Sequence, residues 1–174
     1  ILTMDLLITV PASIHPSRLV GVSCKPKRVL ESGSPSDREL ERLELDRRYC
    51  IHADFPHHVA HPELLPRPLV TQLHWLAPIE SHSRLAGLTT SPLYRTYVER
   101  LRTTGYDRPA WIASQEAGKS VGWSIEEEQR AFKVALWNQD VDADISRPFN
   151  TTQPLTPGGT EFRALARDRW LGAK

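Results

Sequence analysis

Two short apolar runs near the start of the chain have the pattern of a β-hairpin. Residues 2–10 carry closely spaced leucine, isoleucine and valine, and residues 18–25 (RLVGVSCK) repeat that composition, which is typical of strands. Residues 11–17 (PASIHPS) lie between them, are bounded by prolines and predict a turn. With the turn centred near residue 14, positions whose numbers sum to about 28 face each other across an antiparallel pair.

The pattern then changes to the helical period. Residues 36–50 begin with Ser36 and Glu39, a capping-box pair that satisfies the free amides at a helix start. Residues 62–76 (PELLPRPLVTQLHWL) predict a helix that is interrupted or started by proline. Between these two helices, residues 55–60 (FPHHVA) favour a short strand.

A second group of elements follows residues 77–90, which have the character of a connector. Helices are predicted over 91–104, 109–118 and 124–139. In the first, Pro92 occupies the first helical position, and the last begins with a second capping box, Ser124 with Glu127.

The end of the chain has strand-like alternation. Residues 140–146 (DVDADIS) alternate strictly, which predicts a strand able to pair with residues 151–156 (TTQPLT). The acidic residues of this segment are interpreted as a solvated strand edge, not a metal site. Three helices and then a hairpin is the order of a winged-helix module, and residues 159–174 predict a short final helix.

The composition places the chain among globular proteins. Its 174 residues carry a net charge of +1, which excludes a polybasic tail protein, and no apolar run reaches the ~18 residues of a membrane span. The two cysteines form neither a disulfide framework nor a zinc pattern, so we interpret them as free thiols in a reducing compartment. Because the chain begins at Ile1, we expect a longer parent protein. The histidines of residues 52–61 fit no zinc spacing and are interpreted as loop or core residues.

The hairpin register gives Asp5 a chemical context. It places Asp5 beside Ser23, with Lys25 one diagonal step away on the same face. A carboxylate on a strand can hold Mg²⁺, which usually takes one or two carboxylates together with waters and phosphate. A neighbouring lysine then positions water or offsets phosphate charge. The same residues also fit an ordinary cross-strand ion pair, and the spacing alone leaves both interpretations open.

A basic run lies next to these residues. Lys25, Lys27 and Arg28 follow the second strand and suit a DNA backbone approaching the site. A solvated loop is an equally good interpretation of this run.

Four sequence segments, in their order and spacing, resemble the TnsA family, the endonuclease subunits of heteromeric bacterial transposases. They are TMDLLI, VGVSCKP, RELERLELDRRYC and ELLPRPLVTQLHWL. The resemblance covers residues 1–76. A weaker one, to the family's winged-helix domain, covers about residues 90–155 through GWSIEEEQRAFKVAL and VDADISRPFNTTQPL. The implied fold class is α/β: residues 1–76 form the C-terminal part of a restriction-endonuclease-like domain, and residues 77–174 form a winged-helix-like, mostly α domain with a tail.

The resemblance implies a catalytic set. Asp5 matches the family's metal-binding aspartate and Lys25 its catalytic lysine. Ser23 stands where the family has glutamine or an acid, and the family's further catalytic glutamate lies in an earlier helix, outside this sequence. The implied activity is that of a metal-dependent endodeoxyribonuclease that nicks the 5′ ends of a mobile element, with Mg²⁺, or alternatively Mn²⁺, as cofactor.

The resemblance also implies partners and a place of action. These are double-stranded DNA at the element ends, a partner transposase and an ATPase regulator, in the bacterial cytoplasm and without a membrane. An alternative is a non-catalytic assembly or DNA-binding subunit that kept the nuclease fold. A third is a stand-alone restriction-type nuclease, which would cut DNA without any partner.

Overall fold

A computed structural model describes residues 4–9, 19–26, 37–61, 65, 67–78 and 81–159. Within these ranges the protein is mixed α/β, with six helices and a three-stranded sheet. The chain divides into two compact units. The described residues up to Leu65 belong to the first unit, and those from Arg67 onward to the second.

The first unit contains the sheet and one helix. Strand β1 spans Leu6–Thr9, β2 spans Leu19–Cys24, helix α1 spans Asp37–His52 and β3 spans His57–Ala60. The strand order is β1-β2-β3, with β2 antiparallel to β1 and parallel to β3.

The register of the hairpin confirms the prediction. Leu6 pairs with Val22 and Thr9 with Leu19, so each pair sums to 28, as expected from a turn centred near residue 14. The segment of the predicted turn lies outside the described residues, as does Ser36 of the first capping box.

Helix α1 packs closely on β2 at a glycine. A Cβ placed on Gly21 would lie 2.8 Å from Cys50 Sγ and 2.6 Å from Met4 Sδ, both far too close. The hydrogen of Gly21 therefore leaves the room that lets α1 approach the sheet. The buried positions of the helix are Asp46 and Cys50, one helical turn apart.

The second unit contains five helices among its described residues. Their bounds are α2 Arg67–Leu76, α3 His82–Thr89, α4 Pro92–Thr104, α5 Ala110–Ser120 and α6 Ile125–Trp137. None of the described helices of either unit is both long and apolar enough to cross a membrane.

Helix α2 groups with this unit, although the sequence interpretation assigned residues 62–76 to the first domain. The amide of Gln72 donates to the backbone carbonyl of Arg147 at 3.3 Å, and the rings of Trp75 and Phe149 lie 5.9 Å apart. The structure thus puts the division of the chain before Arg67.

Local sequence signals set the helix starts correctly. Ser124 Oγ accepts from the backbone N–H of Glu127, whose carboxylate accepts from the backbone N–H of Ser124, so the predicted capping box is present. Pro92 begins α4 as expected. The expected connector over 77–90 is wrong, because α3 lies within it.

Residues 140–146 form no β-strand, which corrects the prediction of a wing. Val141, Ala143 and Ile145 are buried and alternate with less buried acids, so the alternation reflects burial of one side of an extended segment. A backbone bond from Asp144 N–H to the Thr156 carbonyl, 2.8 Å, joins it to the second predicted strand, but residues 151–156 also lack strand structure.

The acids of this segment bond within the protein, which also corrects the expectation of a solvated edge. Asp140 accepts from the Tyr94 hydroxyl at 2.6 Å, and Asp144 accepts from Ser146 and pairs with Arg147. The tail predicted as a final helix lies, apart from Gly159, outside the described residues.

Candidate active site and a buried polar cluster

The structure brings Asp5 and Lys25 into contact at one end of the hairpin. Asp5 immediately precedes β1 and Lys25 immediately follows β2, so the antiparallel register places them side by side. Asp5 Oδ2 accepts from Lys25 Nζ at 3.2 Å and from the backbone N–H of Cys24 at 2.7 Å. Asp5 and Lys25 therefore lie close together, as the hairpin register predicted.

Lys25 is also tied to the rest of the sheet through its backbone. Its N–H donates to the Ala60 carbonyl at the end of β3, at 2.8 Å. The Asp5–Lys25 pair remains accessible, since the two side chains are 39% and 23% exposed. A charge pair held by backbone bonds but open to water can receive a charged ligand.

The hydroxyl of Ser23 does not join Asp5 and Lys25 but bonds two other side chains, Asp46 and His57. Ser23 is fully buried in β2, and its hydroxyl donates to Asp46 Oδ2 at 3.0 Å and contacts His57 Nε2 at 2.9 Å. Since the single hydroxyl proton goes to the carboxylate, the serine oxygen accepts from an Nε2–H of the imidazole. The three residues join β2, α1 and β3.

Burial favours the neutral form of this imidazole. Desolvation lowers the pKa of His57, and the nearby Asp46 carboxylate partly opposes that effect. A neutral imidazole with its proton on Nε2 is the form that donates to Ser23.

Sequence reasoning missed both partners of Ser23. The contacts span 23 and 34 positions along the chain, so no local motif announces them. One signal for Asp46 was present: it shares a helix face with Leu43 and Cys50, where a carboxylate requires a polar partner.

The donor set fits a magnesium ion only as a site with one carboxylate. Asp5 has an exposed carboxylate, which suits an ion that keeps most of its waters. The carboxylate of Asp46 is buried and accepts from Ser23. Across the described ranges, no three His, Cys, Asp or Glu side chains are grouped so that they could hold a metal. Lys27 and Arg28, expected to meet DNA, lie outside the described residues.

The second unit contains a buried polar cluster that the sequence did not reveal. The hydroxyls of Tyr97 and Ser114 lie 2.7 Å apart, and Ser114 donates to Glu128 Oε1. All three side chains are buried. Desolvation raises the pKa of Glu128 to about 7 and raises the pKa of Tyr97, so this carboxyl changes its charge near neutral pH.

Neither a scan against known protein families nor a search of curated protein sequences finds a match to this chain.

Proposed function

We propose that this chain belongs to a metal-dependent DNA endonuclease subunit of a transposase, which nicks the 5′ ends of a mobile element. The observation that carries the proposal is the Asp5–Lys25 contact at the accessible end of the hairpin. The sequence resemblance to TnsA endonucleases supports it, because Asp5 and Lys25 are the positions that match that family's aspartate and lysine.

In this proposal Asp5 holds the metal ion. A bound Mg²⁺ or Mn²⁺ supplies Lewis-acid stabilisation of the charge that develops on the phosphate. Lys25 places its ammonium beside that carboxylate, where it attracts a phosphate oxygen and orients the attacking water. Ser23 supports the site indirectly, because its hydrogen bonds to Asp46 and His57 fix β2 against α1 and β3.

The substrate in this proposal is double-stranded DNA at the element ends. Lys27 and Arg28 come two and three positions after Lys25 and would contact backbone phosphates, which position DNA without reading its sequence. A partner transposase would cut the 3′ ends and an ATPase regulator would license the complex, in the bacterial cytoplasm. Recognition of the end sequence would come from the partner.

One observation favours the alternative of a non-catalytic assembly subunit. The hydroxyl of Ser23, at the position where the family has a glutamine or an acid, bonds Asp46 and His57 and so is not free for a metal. In that case the Asp5–Lys25 contact is an ordinary cross-strand ion pair.

Strand-specific cleavage distinguishes the two. The full-length protein is incubated with its partner transposase, labelled element-end DNA and Mg²⁺, and the two strands are followed separately. We expect Asp5→Asn to reduce the 5′ nick by more than about 100-fold while the 3′ cut persists.

Glu44→Gln is the matched control. Glu44 is an exposed, ion-paired carboxylate of the same unit, 41% exposed against 39% for Asp5, but it lies on α1 and pairs with Arg47 and Arg48. The control should nick like wild type. Equal 5′ nicking by wild type and Asp5→Asn would reject catalysis at Asp5 and favour the assembly subunit.

A further inference from the structure

The second unit has a cleft of about 290 Å³ with a carboxyl in its lining. Its volume is at the lower end of the ~300–1,000 Å³ range of small-molecule sites. Helices α2, α5 and α6 contribute to the lining, together with one residue of the segment after α6. The lining includes Trp75, Trp111, Gln115, Glu128, Gln129 and Lys133.

The carboxyl of Glu128 is held in place by hydrogen bonds within the second unit. The side chain is only 6% exposed, and Oε1 accepts from Ser114, whose hydroxyl is in turn held by Tyr97. Within the described part of the chain Ser114 is the hydrogen-bond partner of this carboxyl. The second oxygen is therefore left for a donor on a ligand.

Aromatic and amide groups surround this carboxyl. Trp111 is 43% exposed, so it offers indole surface to a flat ligand. The side-chain amides of Gln115 and Gln129 each offer an NH2 group that donates hydrogen bonds and a carbonyl oxygen that accepts them. A planar ring that presents amino donors beside ring acceptors matches this set, and adenine and cytosine have such edges.

The positive charge of Lys133 at the cleft favours a nucleotide over a basic peptide as the ligand. Lys133 Nζ lies 5.0 Å from the centre of the Trp75 ring and lines the same cleft. Its ammonium attracts a phosphate and repels the lysine or arginine of a peptide.

The neighbouring cleft offers a continuation for a longer ligand. It has a volume of about 700 Å³, shares Trp75 and Thr151 with the first cleft, and is lined by Arg67 as well. A second phosphate can pair with that arginine, which suits a strand with more than one nucleotide.

We propose that this cleft binds an amino-bearing nucleobase, from single-stranded nucleic acid or a free nucleotide, stacked on tryptophan with its amino group on Glu128. This site is separate from the nuclease chemistry proposed for the first unit and does not depend on it.

Equilibrium binding tests the proposal with the full chain. Fluorescein-labelled hexamers of dA, dC and dT are titrated by anisotropy, and unlabelled AMP, CMP and TMP are added as competitors. We expect dA or dC hexamers to bind about tenfold more tightly than dT, because thymine lacks an amino group. Trp111→Ala should weaken binding about tenfold, and Glu128→Gln should remove most of the preference over dT.

Trp137→Ala is the control for removing an exposed tryptophan. Trp137 is 40% exposed, belongs to the same unit and is not among the lining residues of either cleft, so its loss should leave binding unchanged. Circular dichroism verifies that each variant is folded. Competition by AMP or CMP at concentrations similar to the hexamers identifies free nucleotide as the source, and much weaker competition identifies single-stranded nucleic acid.

Two results overturn the proposal. One is equal loss of binding in Trp111→Ala and Trp137→Ala, or no loss in either. The other is the absence of any preference for dA or dC over dT.

Discussion

We expect Glu128 to make the stability of the second unit depend on pH near neutrality. Its carboxyl is buried among α4, α5 and α6, where Ser114 is the donor that bonds it. Replacing Glu128 with glutamine keeps an oxygen that accepts from Ser114 and removes the ionisable group. The substitution therefore isolates the energetic cost of charging this side chain in the folded protein.

The magnitude follows from the shift in pKa. Burial raises the pKa of Glu128 from 4.5 to about 7, and one pKa unit corresponds to about 1.4 kcal/mol. Because the folded pKa is above the unfolded value, the contribution to stability is full below pH 4.5 and is lost as the pH rises through 7. The total loss is about 3 kcal/mol.

Glu128→Gln should therefore be close to wild type in stability at pH 4 and more stable by up to about 3 kcal/mol at pH 8.5. The measurement is urea unfolding followed by tryptophan emission at several pH values. Four of the five tryptophans, at positions 75, 111, 123 and 137, belong to the second unit, so the emission reports mainly on it.

Glu99→Gln is the matched control, since Glu99 is an exposed carboxylate on α4. Its stability should follow wild type across the pH range. If the difference between Glu128→Gln and wild type stays constant from pH 4 to 8.5, burial does not shift this carboxyl and the reasoning is refuted.

Two further predictions concern helix packing and helix capping in the same unit. A Cβ on Gly118 would lie 2.6 Å from Glu128 Cγ, so Gly118→Ala should lower the free energy of unfolding by about 1–3 kcal/mol. Gly87→Ala, in α3 with open space around the new methyl, should raise it by about 0.5–1 kcal/mol; a similar loss in both would contradict the close-packing argument. Ser124→Ala removes a capping bond and should cost about 1 kcal/mol. Ser91→Ala removes a cap residue without a side-chain bond and should change stability by less than about 0.5 kcal/mol; equal losses would show that the capping bond contributes little. Urea unfolding measures all four.

The parts of the fold that were predictable are those fixed by neighbouring residues. The capping box of Ser124 and Glu127 is a local signal, and it starts α6 as predicted. The hairpin register follows from a turn of fixed centre, and it brought Asp5 and Lys25 together. The first succeeds because the two partners are only three positions apart, and the second because one turn sets the register of every pair in the hairpin.

The parts that failed depend on distant contacts. Helix α3 was missed because it has only eight residues, too few turns to show the helical period clearly, and because its cap residue Ser81 makes no side-chain capping bond. The alternation of residues 140–146 predicts a strand, but it reflects burial of every second side chain without ladder partners. Burial on one side of an extended segment and pairing in a sheet produce the same sequence pattern.

The two carboxylates near the sheet differ in what they can do. Asp46 is buried and accepts from Ser23, so its role is structural: it helps to join β2, α1 and β3. Asp5 is exposed and paired with Lys25, so it can take a hydrated cation. Of these two, only Asp5 could therefore hold the metal ion of the proposed endonuclease.

The same geometry gives the hydrogen-bonded group of Ser23, Asp46 and His57 an indirect part in the proposed site at Asp5 and Lys25. Ser23 lies two positions before Lys25, whose N–H bonds β3 at Ala60, and β3 begins with His57, a partner of Ser23. Loss of the Ser23 hydroxyl would leave a buried carboxylate without its donor and loosen the strands that hold Lys25. In the proposed endonuclease, a defect caused by substituting Ser23 would thus arise because Lys25 is displaced, whereas a defect in Asp5→Asn would arise from loss of the carboxylate itself. Asp5→Asn is therefore the variant that tests the proposed catalysis against the assembly role.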